Sequence, residues 1–175
     1  MSGETHQPFQ RVAYSGDRQK DYALLVEQAK SLWEGGLPLP SNLANISALL
    51  AQFLDSTNWV GFYLWEDRTS ELIVGPFQGL PACTRIPFGR GVCGTAVQTR
   101  TTQRVADVHR FPGHIACDSD SQSEIVVPLI RAESDVLGVL DIDSPVRDRF
   151  DLTDQEGLER FAAALVELWP AGPGW

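Results

Sequence analysis

Three cysteines, Cys83, Cys93 and Cys117, and three acids, Glu124, Asp141 and Asp143, fall in one stretch of this chain that otherwise reads as packed sheet. A thiol beside a carboxyl group is the equipment for redox chemistry that also consumes a proton. Cys117 lies in Pro112-Gly113-His114-Ile115-Ala116-Cys117-Asp118, and Cys83 also sits among loop-forming residues rather than on an apolar face. An imidazolium such as that of His114, or a helix N-terminus, can lower a thiol from its reference pKa of about 8.5. Cys93 stands at the start of a predicted helix, where the dipole favours thiolate. Its neighbours Val92 and Gly94 also suit a plain packing role, because free cysteine is commonly a small buried hydrophobe.

The acids invite a similar weighing. Strand alternation puts Asp141 and Asp143 on one face, with Ile142 on the other. A carboxylate pair on a sheet face is costly to bury unless a ligand ammonium or a shared proton satisfies it. The apolar flanks of Glu124, Asp141 and Asp143 argue against a solvated edge. Trp59 and Tyr63, four apart on an aromatic strand, share a face and could line the same pocket, although either alone also fits a core. Cys83, Cys93, Cys117, His109 and His114 offer soft metal donors. Structural zinc sites usually show tight C-x-x-C pairs, and the chain has none, so no metal is expected. Gly89-Arg90-Gly91-Val92-Cys93-Gly94 spells G-x-G-x-x-G, but it follows no long parallel strand and lies in no βαβ unit. It reads as turn and helix entry, not dinucleotide binding.

The elements that must carry these residues can be read from periodicity. Tyr22, Leu25, Val26, Ala29, Leu32 and Trp33 recur at helical steps after Asp17, and Gly35-Gly36 ends that helix. Ser41 is placed to cap a second helix burying Leu43, Ile46, Leu50 and Phe53. Asn58 to Trp65 reads as a central strand, apolar on both faces. A second strand spans Glu71 to Val74 and ends at Gly75-Pro76. Arg85 to Pro87 and Gln103 to Val105 are short extended pieces, and Val92 to Gln98 a short helix. Residues 106–122 form a long polar loop of the kind that is usually functional. Two further strands, Ser123 to Ile130 and Val136 to Ile142, flank the turn Arg131 to Asp135. Thr153-Asp154-Gln155-Glu156 reads as a capping box for a last helix carrying Leu158, Phe161, Leu165 and Leu168. Residues 1–16 read as disordered, 17–169 as one domain, and 170–175 as tail. The expected class is α+β: a mostly antiparallel sheet with helices on one face and a loop-closed pocket on the other.

Composition bounds the partners. A chain of 175 residues buries an ordinary single core, and 43% apolar residues is normal for a folded domain. A formal net charge of −9 and the lack of any basic run argue against nucleic acid and anionic membrane. The polar start has no apolar segment of signal-peptide type, and no run reaches the roughly 20 residues of a membrane span. The expected location is the cytoplasm, where three cysteines are seldom structural disulfides.

Seven strings then carry a resemblance: Asn58 to Tyr63, Gly75 to Gly79, Pro81 to Cys83, Gly91 to Gly94, Phe111 to Asp118, Ser123 to Pro128 and Gly138 to Pro145. Together they resemble the free methionine-(R)-sulfoxide reductases, which are built on a GAF domain. The likeness runs from about Asp17 to the last helix and keeps all three thiols in order. It implies that Cys117 attacks the sulfoxide sulfur, that Cys83 resolves the sulfenic acid as a disulfide, and that Cys93 relays or substitutes. It also implies that Glu124, Asp141 and Asp143 hold the substrate ammonium or the sulfoxide oxygen, with Trp59 and Tyr63 walling the pocket. Thioredoxin is the implied reductant, and no metal or organic cofactor is needed. A homodimer is left open. The competing expectation is a non-catalytic GAF sensor of small molecules or oxidation, although a sensor normally carries an output domain and none fits in this length.

Overall fold

The structure is a computed structural model and describes residues 9–132 and 135–172. Six strands form one sheet in the order β3-β2-β1-β6-β5-β4, and every pairing is antiparallel. The strands are β1 (Trp59–Glu66), β2 (Glu71–Gly79), β3 (Arg85–Pro87), β4 (Gln103–Val105), β5 (Ser123–Ala132) and β6 (Asp135–Ser144). Helices α1 (Arg18–Leu32), α2 (Leu39–Phe53) and α4 (Leu152–Leu168) cover one face. A shorter helix, α3 (Gly91–Thr99), packs on the other face, so that side is closed by a helix as well as by loops.

The pleat explains why the sheet has two cores. On β1, Val60, Phe62 and Leu64 point to the three-helix side, where they meet Leu25, Ile46, Leu50, Phe161 and Leu165. Trp59 and Tyr63 point the other way, toward α3 and its Val92, Ala96 and Val97. A strand buried on both faces needs apolar residues at every step, which is how the β1 sequence reads. Full burial of each large side chain contributes about 1.5–3 kcal/mol.

Several local expectations are corrected. Helix α2 begins at Leu39, so Ser41 lies inside its first turn and Pro38 occupies the cap position. Pro40 is accommodated there because first-turn N–H groups have no helical partner and the fixed φ of proline suits the turn. Strand β2 does not stop at Gly75-Pro76 but bulges there and continues to Gly79. Pairing with β1 shifts by one residue between Gly61 and Tyr63, and β3 reaches only as far as Ile73, so Pro76 interrupts no ladder on that side.

The capping box of α4 sits two residues earlier than expected. The Asp151 side chain accepts from Asp154 N at 3.0 Å, and the Asp154 side chain accepts from Asp151 N at 3.1 Å. Asp154 is preferred because it is the hub of a buried network. It accepts from the Tyr22 hydroxyl at 2.7 Å and from Arg149 at 3.1 Å, and it pairs with Arg18, tying α1 to α4.

Residues 9–16 form no regular element, yet their last members are fastened to α1: Ser15 N and Gly16 N donate to the Asp21 carboxylate at 2.7 and 2.9 Å. Residues 1–8, two residues of the β5–β6 turn and the end of the tail lie outside the described residues. Among the described residues no helix is long and apolar enough to cross a membrane.

Gly138 fixes how closely β6 lies on β1. It pairs with Leu64 at φ +152°, and a Cβ there would come within 2.1 Å of the Tyr63 carbonyl oxygen. Gly138→Ala is therefore expected to lower the unfolding free energy by about 1–3 kcal/mol. Urea denaturation of the two proteins measures it.

Candidate active site

The pocket forms on the α3 side of the sheet, where β1, β6 and β5 run side by side. Register places Trp59 of β1 and Glu124 of β5 on either side of Asp143 of β6. Asp141 is two residues along on the same face, opposite Gly61 and Val126. The pocket is lined by Trp59, Tyr63, Cys93, Glu124, Asp141 and Asp143 below and by Leu80–Ala82, His114, Ile115, Cys117, Asp118 and Ser121 above. All of the residues singled out in the sequence line this space except Cys83, which is reached through its bond to Cys117, and His109, which turns to Asp107.

Cys83 and Cys117 are joined in a disulfide with Cα atoms 5.4 Å apart. Each half comes from a different loop: Cys83 follows β2, and Cys117 lies in the 106–122 loop. Both loops are anchored. The Tyr63 hydroxyl donates to the Cys83 carbonyl at 3.1 Å, and Trp59 Nε1 donates to the Leu80 carbonyl at 3.2 Å. The two aromatics thus wall the pocket and also hold the segment that carries one sulfur. They stack with ring centroids 5.6 Å apart, and Phe77 stacks on Trp59 at 5.0 Å. On the other side, Asn58 Nδ2 donates to Asp118 at 2.8 Å and to Ser121 Oγ at 3.1 Å, fastening the turn just after Cys117.

Cys93 is the one free cysteine and is buried. The expectation of a dipole-favoured thiolate fails. Burial pushes its thiol up, and the nearby Asp141 and Glu124 carboxyls push it further. The helix dipole, worth at most about 2 kcal/mol, cannot offset that. The Cys93 sulfur lies 4.0 Å from Glu124 Oε1.

The acids behave alike. Glu124 and Asp141 are 6% and 5% exposed. Burial raises Glu124 well above the usual carboxylate range, with Asp141 and Asp143 adding to it. Asp143 is raised by burial and then by Asp141, and Asp141 itself is raised by burial to about 6. Asp141 Oδ1 has no hydrogen-bond partner. The His114 ring, a candidate imidazolium from the sequence, is instead pushed down by burial. Its Nε2 stands 3.9 Å from Glu124 Oε2, and because Glu124 holds its proton this is a contact between neutral groups. A neutral His114 gives Cys117 no imidazolium.

Sequence reading missed Asn58, Asp118 and Ser121 as parts of this site. Ser121 is 4% exposed, and it faces Asp143 only because the loop returns to β6 through the Gln122 N to Ser144 O hydrogen bond of 2.7 Å. No motif signalled that return. Asn58 has a signal, since it immediately precedes the aromatic strand, but not one that distinguishes it from an ordinary strand edge.

Fold and pocket can now be set beside known proteins. The GAF domain family matches residues 38–167. The free methionine-R-sulfoxide reductase of Escherichia coli is 53% identical over 84% of this chain and 87% of its own length. That of Saccharomyces cerevisiae is 44% identical over 88% of this chain and 89% of its own. The structure of free methionine-R-sulfoxide reductase from Neisseria meningitidis in complex with its substrate superposes with a TM-score of 0.83 at 43% identity, covering 92% of this chain and 94% of that one. This chain is a GAF domain and belongs to the free methionine-R-sulfoxide reductase family.

The raised acids make stability depend on pH in a defined sense. A carboxyl whose folded pKa lies above its unfolded value binds more protons when folded, so stability is greatest below the unfolded value and falls as pH rises through the folded one. For Asp141 the window runs from about pH 4, the reference value, to about pH 6. Asp141→Asn is expected to remove the loss in that window and to raise the unfolding free energy at neutral pH by on the order of 1–2 kcal/mol. Urea midpoints across pH 4 to 8 measure it. An unaltered pH slope in the variant would mean that Asp141 ionises freely in the wild-type protein.

Proposed function

We infer that the protein reduces free methionine (R)-sulfoxide to methionine, using its own thiols as the electron source. One observation carries the reading: a disulfide bridges two loops over a pocket whose floor carries the three acids Glu124, Asp141 and Asp143. In the reduced protein the Cys117 thiol would face that floor. A sulfoxide oxygen leaves only if it is protonated or strongly hydrogen-bonded, so attack on sulfur needs an acid within reach. Glu124 and Asp143 offer that acid, because burial and the neighbouring carboxyls raise them well above the usual carboxylate range.

The steps balance. The Cys117 thiolate attacks the sulfoxide sulfur while one of the acids protonates the sulfoxide oxygen. That oxygen then moves from the methionine sulfur to the Cys117 sulfur as the transient sulfur–sulfur bond opens, so methionine departs and Cys117 becomes a sulfenic acid. The Cys83 thiol then displaces water and forms the observed bridge. A resolving thiol at disulfide distance protects the sulfenic acid from further oxidation. A dithiol reductant returns two electrons and two protons, and thioredoxin is the reductant we propose. All electrons and protons are thus supplied by thiols and acids, so we propose that neither metal nor organic cofactor takes part. A chelator is expected to leave the rate unchanged.

Roles within the cycle follow from position. Cys117 is nearest the pocket and takes the part of nucleophile. Cys83 takes that of resolving thiol. Cys93 lies beneath, with its proton held, and is assigned to the acid cluster rather than to either step. Cys117→Ser is expected to abolish even single-turnover release of methionine. Cys83→Ser keeps one turnover and loses recycling by thioredoxin. Quantifying methionine released per chain, with and without reductant, separates the two. Steady-state activity in the Cys117 variant would overturn the assignment.

Substrate size follows from charge. The acids can grip an ammonium, whereas an N-acyl nitrogen carries no charge and would leave buried carboxyls without a partner, at a cost of about 1–3 kcal/mol. N-acetylated or peptide-bound methionine sulfoxide is therefore expected to react at least about tenfold more slowly than the free amino acid, equivalent to about 1.4 kcal/mol. The comparison is NADPH oxidation through thioredoxin and its reductase. Equal rates would show that the acids do not hold the amine.

A further inference from the structure

The floor of the pocket contains more than proton donors. Cys93, Glu124 and Asp141 each direct one donor atom into a common space, and those three atoms lie within 4.8 Å of one another. None of these donors is on the pair of loops that the disulfide joins, so the group persists when Cys83 and Cys117 are bridged. Asp141 Oδ1 is buried without any hydrogen-bond partner, although the residue is only 5% exposed. His114 Nε2 stands at the rim, 3.9 Å from the second Glu124 oxygen and outside this three-atom group. The soft donors weighed and set aside in the sequence are dispersed, since Cys83 and Cys117 bond to each other and His109 turns outward to Asp107. A different set, assembled by the sheet register and α3, takes its place.

We propose that Cys93, Glu124 and Asp141 form a zinc-binding site at the base of the substrate pocket, with the fourth position open to water. One thiolate and two carboxylates make a mixed three-ligand set suited to a borderline-soft tetrahedral ion that keeps a water; magnesium and calcium prefer all-oxygen shells with more ligands. At zinc bond lengths of about 2.0–2.3 Å, tetrahedral donors sit roughly 3.3–3.5 Å apart, so the three atoms close on the ion with shifts of about 1 Å. On binding, an S–Zn bond replaces the Cys93 S–H bond, and the thiol and carboxyl protons leave to solvent. No electron is transferred. The ion is not part of the proposed reduction. It fills the place that the substrate ammonium takes in the function proposed above, and to that extent its inhibitory effect rests on that reading. Free zinc then inhibits in competition with the sulfoxide.

The Cys83→Ser/Cys117→Ser protein isolates the site, because Cys93 is its remaining thiol. Zinc alone, measured by equilibrium dialysis, is expected to bind at one ion per chain. Cobalt(II) in its place is expected to show a thiolate charge-transfer band and tetrahedral visible absorption. Adding Cys93→Ser removes the band and weakens zinc by at least about tenfold, and Glu124→Gln in the same background weakens it too. The disulfide-bridged wild-type protein, which needs no substitution, gives the same cobalt band from the same single free thiol. Displacement of zinc by free methionine sulfoxide supports both the site and the ammonium reading. Zinc binding with the Cys93 band but no displacement keeps the metal site and removes the ammonium reading. No stoichiometric zinc in either protein, or binding unaffected by Cys93→Ser, overturns the site.

Discussion

The cost of desolvating charge on one sheet face governs this molecule. Three carboxyl groups and a thiol line one pocket on β5, β6 and α3, with Cys93, Glu124 and Asp141 buried together and Asp143 half-buried beside them. Ionising all of them together in that setting is prohibitive, so the folded chain holds protons there that the unfolded chain would release. The consequence is chemical as much as structural. A proton held at neutral pH in a dry pocket can be given to a sulfoxide oxygen, and a site short of positive charge can accept an ammonium or a metal ion. Proton donor, amine anchor and cation trap are three uses of one electrostatic deficit.

The rest of the fold serves to sustain that deficit. Three helices cover the far face, so the strands bearing the acids are rigid on that side. The Asp154 hub, with Tyr22, Arg18 and Arg149, locks α1 and α4 together away from the site. On the near face the aromatics Trp59, Tyr63 and Phe77 exclude water and, through the Tyr63 hydroxyl and the Trp59 indole, hold the loop that carries Cys83. The disulfide then joins that loop to the one carrying Cys117, so the redox state and the covering of the pocket are linked through a single covalent bond.

Electrostatics and backbone chemistry pull against each other at Cys93. Its position in the first turn of α3 suggests a favoured thiolate, yet it is buried against carboxyls. A partial charge at a helix end is weaker than burial next to acids, so the proton stays. The same comparison explains His114: its sequence position beside Cys117 suggests an imidazolium, but a ring largely removed from water stays neutral.

By itself the sequence determined the class of fold, the strands and helices that matter, the shared face of Asp141 and Asp143, and the thiols and acids worth attention. These are carried by local rules: a pleat of period two, helical spacing, residue types that only special chemistry justifies in an apolar context. The misplacements were local as well. Ser41 and Thr153 look like caps but are not, because α2 already starts at Leu39, behind a Pro38 that offers no side-chain cap, and Asp151 caps α4 two residues before Thr153. Gly75-Pro76 looks like a stop but is a bulge, because β1 across from it tolerates an extra residue. Only the tertiary structure decided that Glu124 faces Asp143, that Asn58 and Ser121 fasten the Cys117 loop, that Tyr63 anchors Cys83, and that Cys93 belongs with the acids rather than with the other thiols. Those facts depend on inter-strand register and on where a long loop returns. Both are set by contacts between residues far apart in the chain, and no window of sequence contains them.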